Sequence, residues 1–118
     1  MAWKWIDFGL NNRIAIHADT WTGNGSTSTN ALADTTMQLV SIKIHYDSPV
    51  YNNATVTIKS PKGINYDTVI TTFNNTAGAT DNSAYYDEGE VLEPGDIIKV
   101  ACDVTTNNAY CTIKAKMI

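Results

Sequence analysis

Between Met37 and Tyr46 the chain alternates at a two-residue period, Val40, Ile42, Ile44 and Tyr46 against Ser41, Lys43 and His45. That period fits a strand with one dry face and one wet face. It recurs with Val56 and Ile58 against Thr55, Thr57 and Lys59, then with Ile98, Val100, Cys102 and Val104, and again with Cys111, Ile113, Ala115 and Met117. A strand that is apolar on one face needs a second apolar face to cover it, so several of them in 118 residues imply sheets packed face to face. No stretch repeats strong helix formers at helical spacing. The expected fold is all-β: a single antiparallel β-sandwich, jelly-roll-like or Greek-key, with an extended N-terminal arm. Residues 1–36 would form the arm and a loop, and residues 37–118 the sandwich core of the same domain.

Turn chemistry punctuates the strands. Asp47-Ser48-Pro49 reads as a turn, and Ser60-Pro61-Lys62-Gly63 as a tight hairpin leading into a strand over Asn65 to Phe73. The small polar run from Asn74 to Ala84 reads as a surface loop or edge crossing. Glu93-Pro94-Gly95-Asp96 places Gly where a type II turn needs positive φ. Thr105-Thr106-Asn107-Asn108 reads as the loop of a closing hairpin. Toward the N-terminus, Arg13 to His17 reads as a short strand and the Gly/Ser/Thr/Asn-rich stretch from Thr22 to Thr36 as a mobile loop.

The closing hairpin constrains the two cysteines. A two-residue loop on Thr106-Asn107 sets Cys102 across from Cys111, and a loop on Asn107-Asn108 sets it across from Ile113. A three-residue loop would oppose an apolar face with Lys114 and Lys116 and is rejected. In both remaining registers the sulfurs point inward. The first residues lack the apolar run and small-residue cleavage site of a secretory signal; taking Met1 as the natural start, two reduced, buried thiols are expected in preference to a cross-strand disulfide.

Charge and motif content narrow the function. The net charge is -4 with cations scattered singly, which gives no electrostatic footprint for nucleic acid. No segment approaches the roughly 20 apolar residues of a membrane-crossing helix. His17 and His45 are the only histidines, placed at strand-end or outward positions, and no nucleophile elbow, phosphate loop or zinc-protease helix accompanies them. Asp87, Glu88, Glu90, Glu93 and Asp96 form an acidic patch that follows no calcium-loop spacing and reads as a solvated connection. The sequons at Asn24, Asn53 and Asn74 carry no weight without secretion. The expectation is a non-enzymatic protein without cofactor or metal.

The aromatic residues of the arm stand out. Trp3 and Trp5 share one side of an extended segment, with Ile6 and Phe8 after them and Trp21 further on. Large rigid rings serve equally as core or as interface anchors, so Trp3, Trp5, Ile6, Phe8 and Trp21 are the candidate interface.

A short all-β chain with an aromatic arm and a Leu92-Glu93-Pro94-Gly95-Asp96-Ile97 turn into its last strands resembles the small β-sandwich decoration, or cement, proteins of tailed-phage capsids. The resemblance runs over roughly residues 37–118. It implies a virion protein, made in the host cytoplasm, that binds the major capsid protein or another virion protein from outside, often as a trimer. A carbohydrate-binding module or lectin is the alternative, with Trp21 or Tyr51 stacking on a sugar.

Overall fold

In a computed structural model, which describes residues 3–7, 13–27, 31–87 and 89–118, the chain forms an antiparallel, eight-stranded, sandwich-like all-β fold. The organising element is β8 (Ile97–Met117). One edge of β8 is paired along most of its length by β2 (Arg13–Ser26). Its other edge is shared end to end by β3 (Met37–Val50) and β4 (Ala54–Lys59): β3 runs from Met37 opposite Met117 to Tyr46 opposite Ala109, and β4 from Thr55 opposite Ala101 to Lys59 opposite Ile97. The outer edges are β1 (Lys4–Asp7) on β2, β5 (Thr68–Phe73) on β4, and β6 (Ala79–Tyr85) with β7 (Val91–Leu92) on β3.

The long sheet bends so that its two halves share one core. Inward residues of its two halves, such as Ile42, Ile44, Cys111 and Ile113 from one and Val56, Ile98, Val100 and Cys102 from the other, meet in one buried cluster.

The bends are bulges, and they correct the sequence reading at two turns. Inward positions on β8 are even through Val104 and odd from Ala109, so the chain must insert an odd number of residues between the two faces. A hairpin loop would do this; the structure does it by a bulge. Thr22 of β2 faces Asn108 and Asn24 faces Asp103, while β8 runs on uninterrupted. Thr105 takes φ 57 there. The Asp47-Ser48-Pro49 segment is likewise within β3 and bulges opposite it. Each supplies the other's partners: Asp47 accepts from the Asn108 backbone and side-chain N–H groups at 3.0 and 3.1 Å, and Ser48 Oγ donates to Asn107 Oδ1 at 2.7 Å. The polar residues that read as turns are therefore a matched pair of bulges. Cys102 lies across from Gly25, and Cys111 across from Asp19 and Ile44, so neither expected cysteine register occurs.

A third bulge shifts the face of β3. Met37 and Leu39 point inward, Val40 is the extra residue and is only half-buried, and Ile42, Ile44 and Tyr46 resume the inward face.

The stretch expected to be mobile is held in place wherever it is described. β2 continues to Ser26, the Thr27 N–H donates to the Val100 carbonyl at 3.0 Å, and the Ala33 N–H donates to Asp96 O at 2.8 Å. Ala31 and Ala33 are buried because only small side chains fit against the start of β8. The Gly95 N–H returns a bond to Ala33 O at 2.9 Å; Gly95 has φ 98, as the type II turn requires, and its α-carbon packs beside Pro61.

Asn-rich runs close one end of the core. Tyr46 Oη donates to Asn82 Oδ1 at 2.7 Å, Asn82 Nδ2 donates to Asn75 Oδ1 at 2.9 Å, and buried Asn75 donates to Asn52 O at 3.0 Å. A fully paired polar cluster of this kind fixes three connections against one another.

Candidate functional site

The arm residues divide between core and edge. Trp3 is 8% exposed, donates its indole N–H to Leu32 O at 2.9 Å and meets the His17 ring edge-on at a centroid distance of 5.6 Å. Trp21 is 7% exposed and donates to Cys102 O at 3.0 Å. Trp5 and Ile6 are half-buried on β1, with the Arg13 guanidinium 4.9 Å over the Trp5 ring, and Phe8 lies outside the described residues. The two core tryptophans offer no surface to a partner. Trp21 is equally closed to a sugar, whereas Tyr51 is exposed over Gly78.

His17 is corrected from an outward or strand-end position to a wholly buried one, because β2 runs on far past it and its parity follows Ala15 into the core. Both cysteines are buried and unbridged. Burial pushes both thiols up, Cys111 to about 12, with the Asp19 carboxylate adding to the effect. Neither thiol should react with a thiol reagent until the chain unfolds; Ellman titration with and without denaturant checks this, with about two thiols released only in denaturant.

Two surfaces remain for function. The first is the outward face of β6, β3 and β8, where the sheet register lays out a grid. One rung carries Asp81, His45 and Tyr110, the next Ser83, Lys43 and Thr112, and the next Tyr85, Ser41 and Lys114. His45 Nδ1 lies 2.9 Å from Asp81 Oδ1, and this hydrogen bond holds the carboxyl below its ordinary value, helped by the Thr80 hydroxyl. Lys43 Nζ stands 5.6 Å over the Tyr85 ring, and the Tyr110 ring lies 6.4 Å from His45. Tyr85 is 65% and Tyr110 45% exposed, and the depression between them holds about 440 Å³. The pair His45–Asp81 sits in open water, where a buried site's electrostatic leverage is absent. Rings, hydroxyls and charges thus lie open together on this face of the sheet.

The second surface is the β4–β5 connection. After Pro61 the chain makes a single 3-10 turn (Ile64–Tyr66) that lifts its side chains off the body, leaving Ile64 84% and Tyr66 63% exposed, with Val69 exposed beside them on β5. β5 is a sheet edge paired only with β4 among the described strands, and residues 68–80 carry no charge. Apolar residues just after a Pro-Gly turn, where no core can reach them, were the sequence signal for this surface.

Among the described residues no three His, Cys, Asp or Glu side chains gather as metal ligands; Asp87, Glu90, Glu93 and Asp96 are strung along the β7 connections instead, and Asp96 Oδ2 is occupied in accepting the Glu93 N–H at 2.9 Å. No family model matches the chain, and no curated protein sequence matches it.

Proposed function

We propose that this chain is a non-enzymatic structural protein of a virion, a decoration or cement protein that binds the outside of an assembled capsid and strengthens it by docking. The observation that carries the reading is the Ile64–Tyr66–Val69 surface beside an uncharged edge strand. Monomeric proteins shield sheet edges with charge, proline or cover, because open N–H and C=O groups pair with any strand that arrives. Here the strand itself carries no charge and exposed apolar side chains flank it, with Asp67 between them accepting from the Ser60 N–H and Lys62 Nζ 6.0 Å over the Tyr66 ring, an arrangement that suits docking by strand addition with apolar anchors. The partner in this reading is the major capsid protein or another virion protein, with the chain itself a homo-oligomer, a trimer by analogy with the family it resembles.

The test is co-sedimentation with undecorated particles assembled from the major capsid protein of the same genome. The double variant Ile64→Ser/Tyr66→Ser should weaken binding by about tenfold or more while shifting stability by no more than about 0.5 kcal/mol, since both residues are exposed. Failure of the unaltered chain to bind, or undiminished binding by the variant, counts against the reading. Deleting residues 1–12 is a poor substitute, because it removes β1 and the Trp3 anchor and so tests the fold.

A further inference from the structure

We propose that the outward face of β6, β3 and β8 binds a linear, uronate-bearing oligosaccharide, independently of the β4–β5 docking edge. The argument starts from spacing. Tyr85 and Tyr110 stand two strands and two rungs apart in the register, which at strand and residue spacings of about 4.8 Å and about 3.4 Å separates their α-carbons by roughly 17 Å. That span suits three or four pyranose rings laid diagonally across the sheet. The exposed Tyr85 and Tyr110 rings, one with Lys43 Nζ on one side and the other beside His45, can each offer a remaining face to the C–H side of a sugar.

The floor between the rings is polar. Ser83 and Thr112 present hydroxyls that donate or accept, Asp81 accepts, and His45 and Lys43 lie between them. Sugar hydroxyls would find a partner of either polarity.

Charge selects the class of sugar. The chain carries -4 overall, yet the outward positions of this sheet include Lys4, Lys43, Lys114 and Lys116 against the two carboxylates Asp47 and Asp81. Both carboxylates are already engaged, Asp47 by Asn108 and Asp81 by His45. Lys43 and Lys114 fall on neighbouring strands one rung apart, about 8 Å between α-carbons, so both ammonium groups can reach one carboxylate.

Calorimetry with tetragalacturonate, cellotetraose and an eight-nucleotide oligo-dT, each at low and at physiological salt, tests the proposal. Tetragalacturonate should bind, more weakly at high salt, and more tightly than cellotetraose. Tyr85→Ala and Tyr110→Ala should each weaken it about fivefold or more, and Lys43→Met should erase the preference over cellotetraose. Ile64→Ser/Tyr66→Ser should leave it unchanged, which separates this site from the docking edge. All five positions are exposed, so unchanged melting temperatures would confirm that the variants fold. Absence of tetragalacturonate binding at millimolar concentration, tighter binding of the oligonucleotide, or indifference to both tyrosine substitutions would overturn the proposal.

Discussion

Replacing Gly25 by alanine should destabilise the fold by about 1–3 kcal/mol, the range for forcing an extra carbon into a filled site, and part of that loss should vanish when Trp21 is also replaced by alanine. A methyl at residue 25 would lie 2.6 Å from Cδ1, 2.7 Å from Cβ and 2.7 Å from Cγ of Trp21. Those atoms include the root of the side chain, so a rotation of the indole does not relieve the clash. Nor is the ring free to leave, since its N–H is bonded to Cys102 O across the bend of the sheet. Trp21→Ala alone should cost more, about 3–5 kcal/mol, because it empties a large site and orphans that carbonyl. The Trp21→Ala background removes the Cγ and Cδ1 contacts but keeps the Cβ at 2.7 Å, so the double-mutant cycle should return a partial coupling of about 1 kcal/mol. Urea midpoints at constant m-value measure all four corners. Strict additivity would mean that the glycine is required for some other reason, and a neutral Gly25→Ala would mean that the ring does not lie against it.

Trp21 and Gly25 also mark where the sequence was legible and where it was not. Inward and outward residues follow from a two-residue period, and the period survives in β4 and in each half of β8 as read. What a period cannot disclose is how two such runs are joined. Val104 and Ala109 lie on one face whether the residues between them make a hairpin or a bulge, and Asn, Thr and Asp favour both. The decision rests with β2, which pairs along both halves of β8 and so keeps them in line. β2 itself was the hardest element to read, because its second half contains Thr, Gly, Asn and Ser, and tertiary pairing overrides the weak strand preference of such residues. With β2 read as ending near His17, that histidine fell at a strand end; with β2 at its full 14 residues, it falls inside.

The candidate site shows the same division. Lys43 and His45 were legible as outward neighbours on one strand. Asp81 and Ser83, which complete the grid with Tyr85, lay in a run that read as a surface loop or edge crossing, although they do alternate there against Asn82 and Ala84. The aromatic arm misled for a different reason. Core and interface favour the same rings, and only three-dimensional burial tells Trp3 and Trp21 from Ile64 and Tyr66.

Stability should be flat from about pH 7 to about pH 9 and then fall steeply. Burial raises Cys111 from 9.0 to about 12 and raises Cys102, Tyr46 and Tyr86 above their ordinary values as well. The folded chain thus holds these protons more tightly than the unfolded one. Below the unfolded values every group is protonated in both states and the contribution is complete. Above them the unfolded chain gives up its protons first and gains stability relative to the fold, at about 1.4 kcal/mol per pH unit for each group involved. The loss from Cys111 begins near pH 9 and ends near pH 12, while the tyrosines add theirs only above about 10. Cys111→Ala should cost stability at neutral pH by about 1 kcal/mol, through a small cavity, yet lessen the alkaline slope by one group's share, so that the variant and the unaltered chain converge and then cross at roughly pH 10. Urea unfolding from pH 8 to pH 11 measures both slopes. Parallel lines for the two proteins would show that the Cys111 thiol ionises as easily in the fold as outside it, and that the seam between the two halves of the sheet admits water where the structure has it dry.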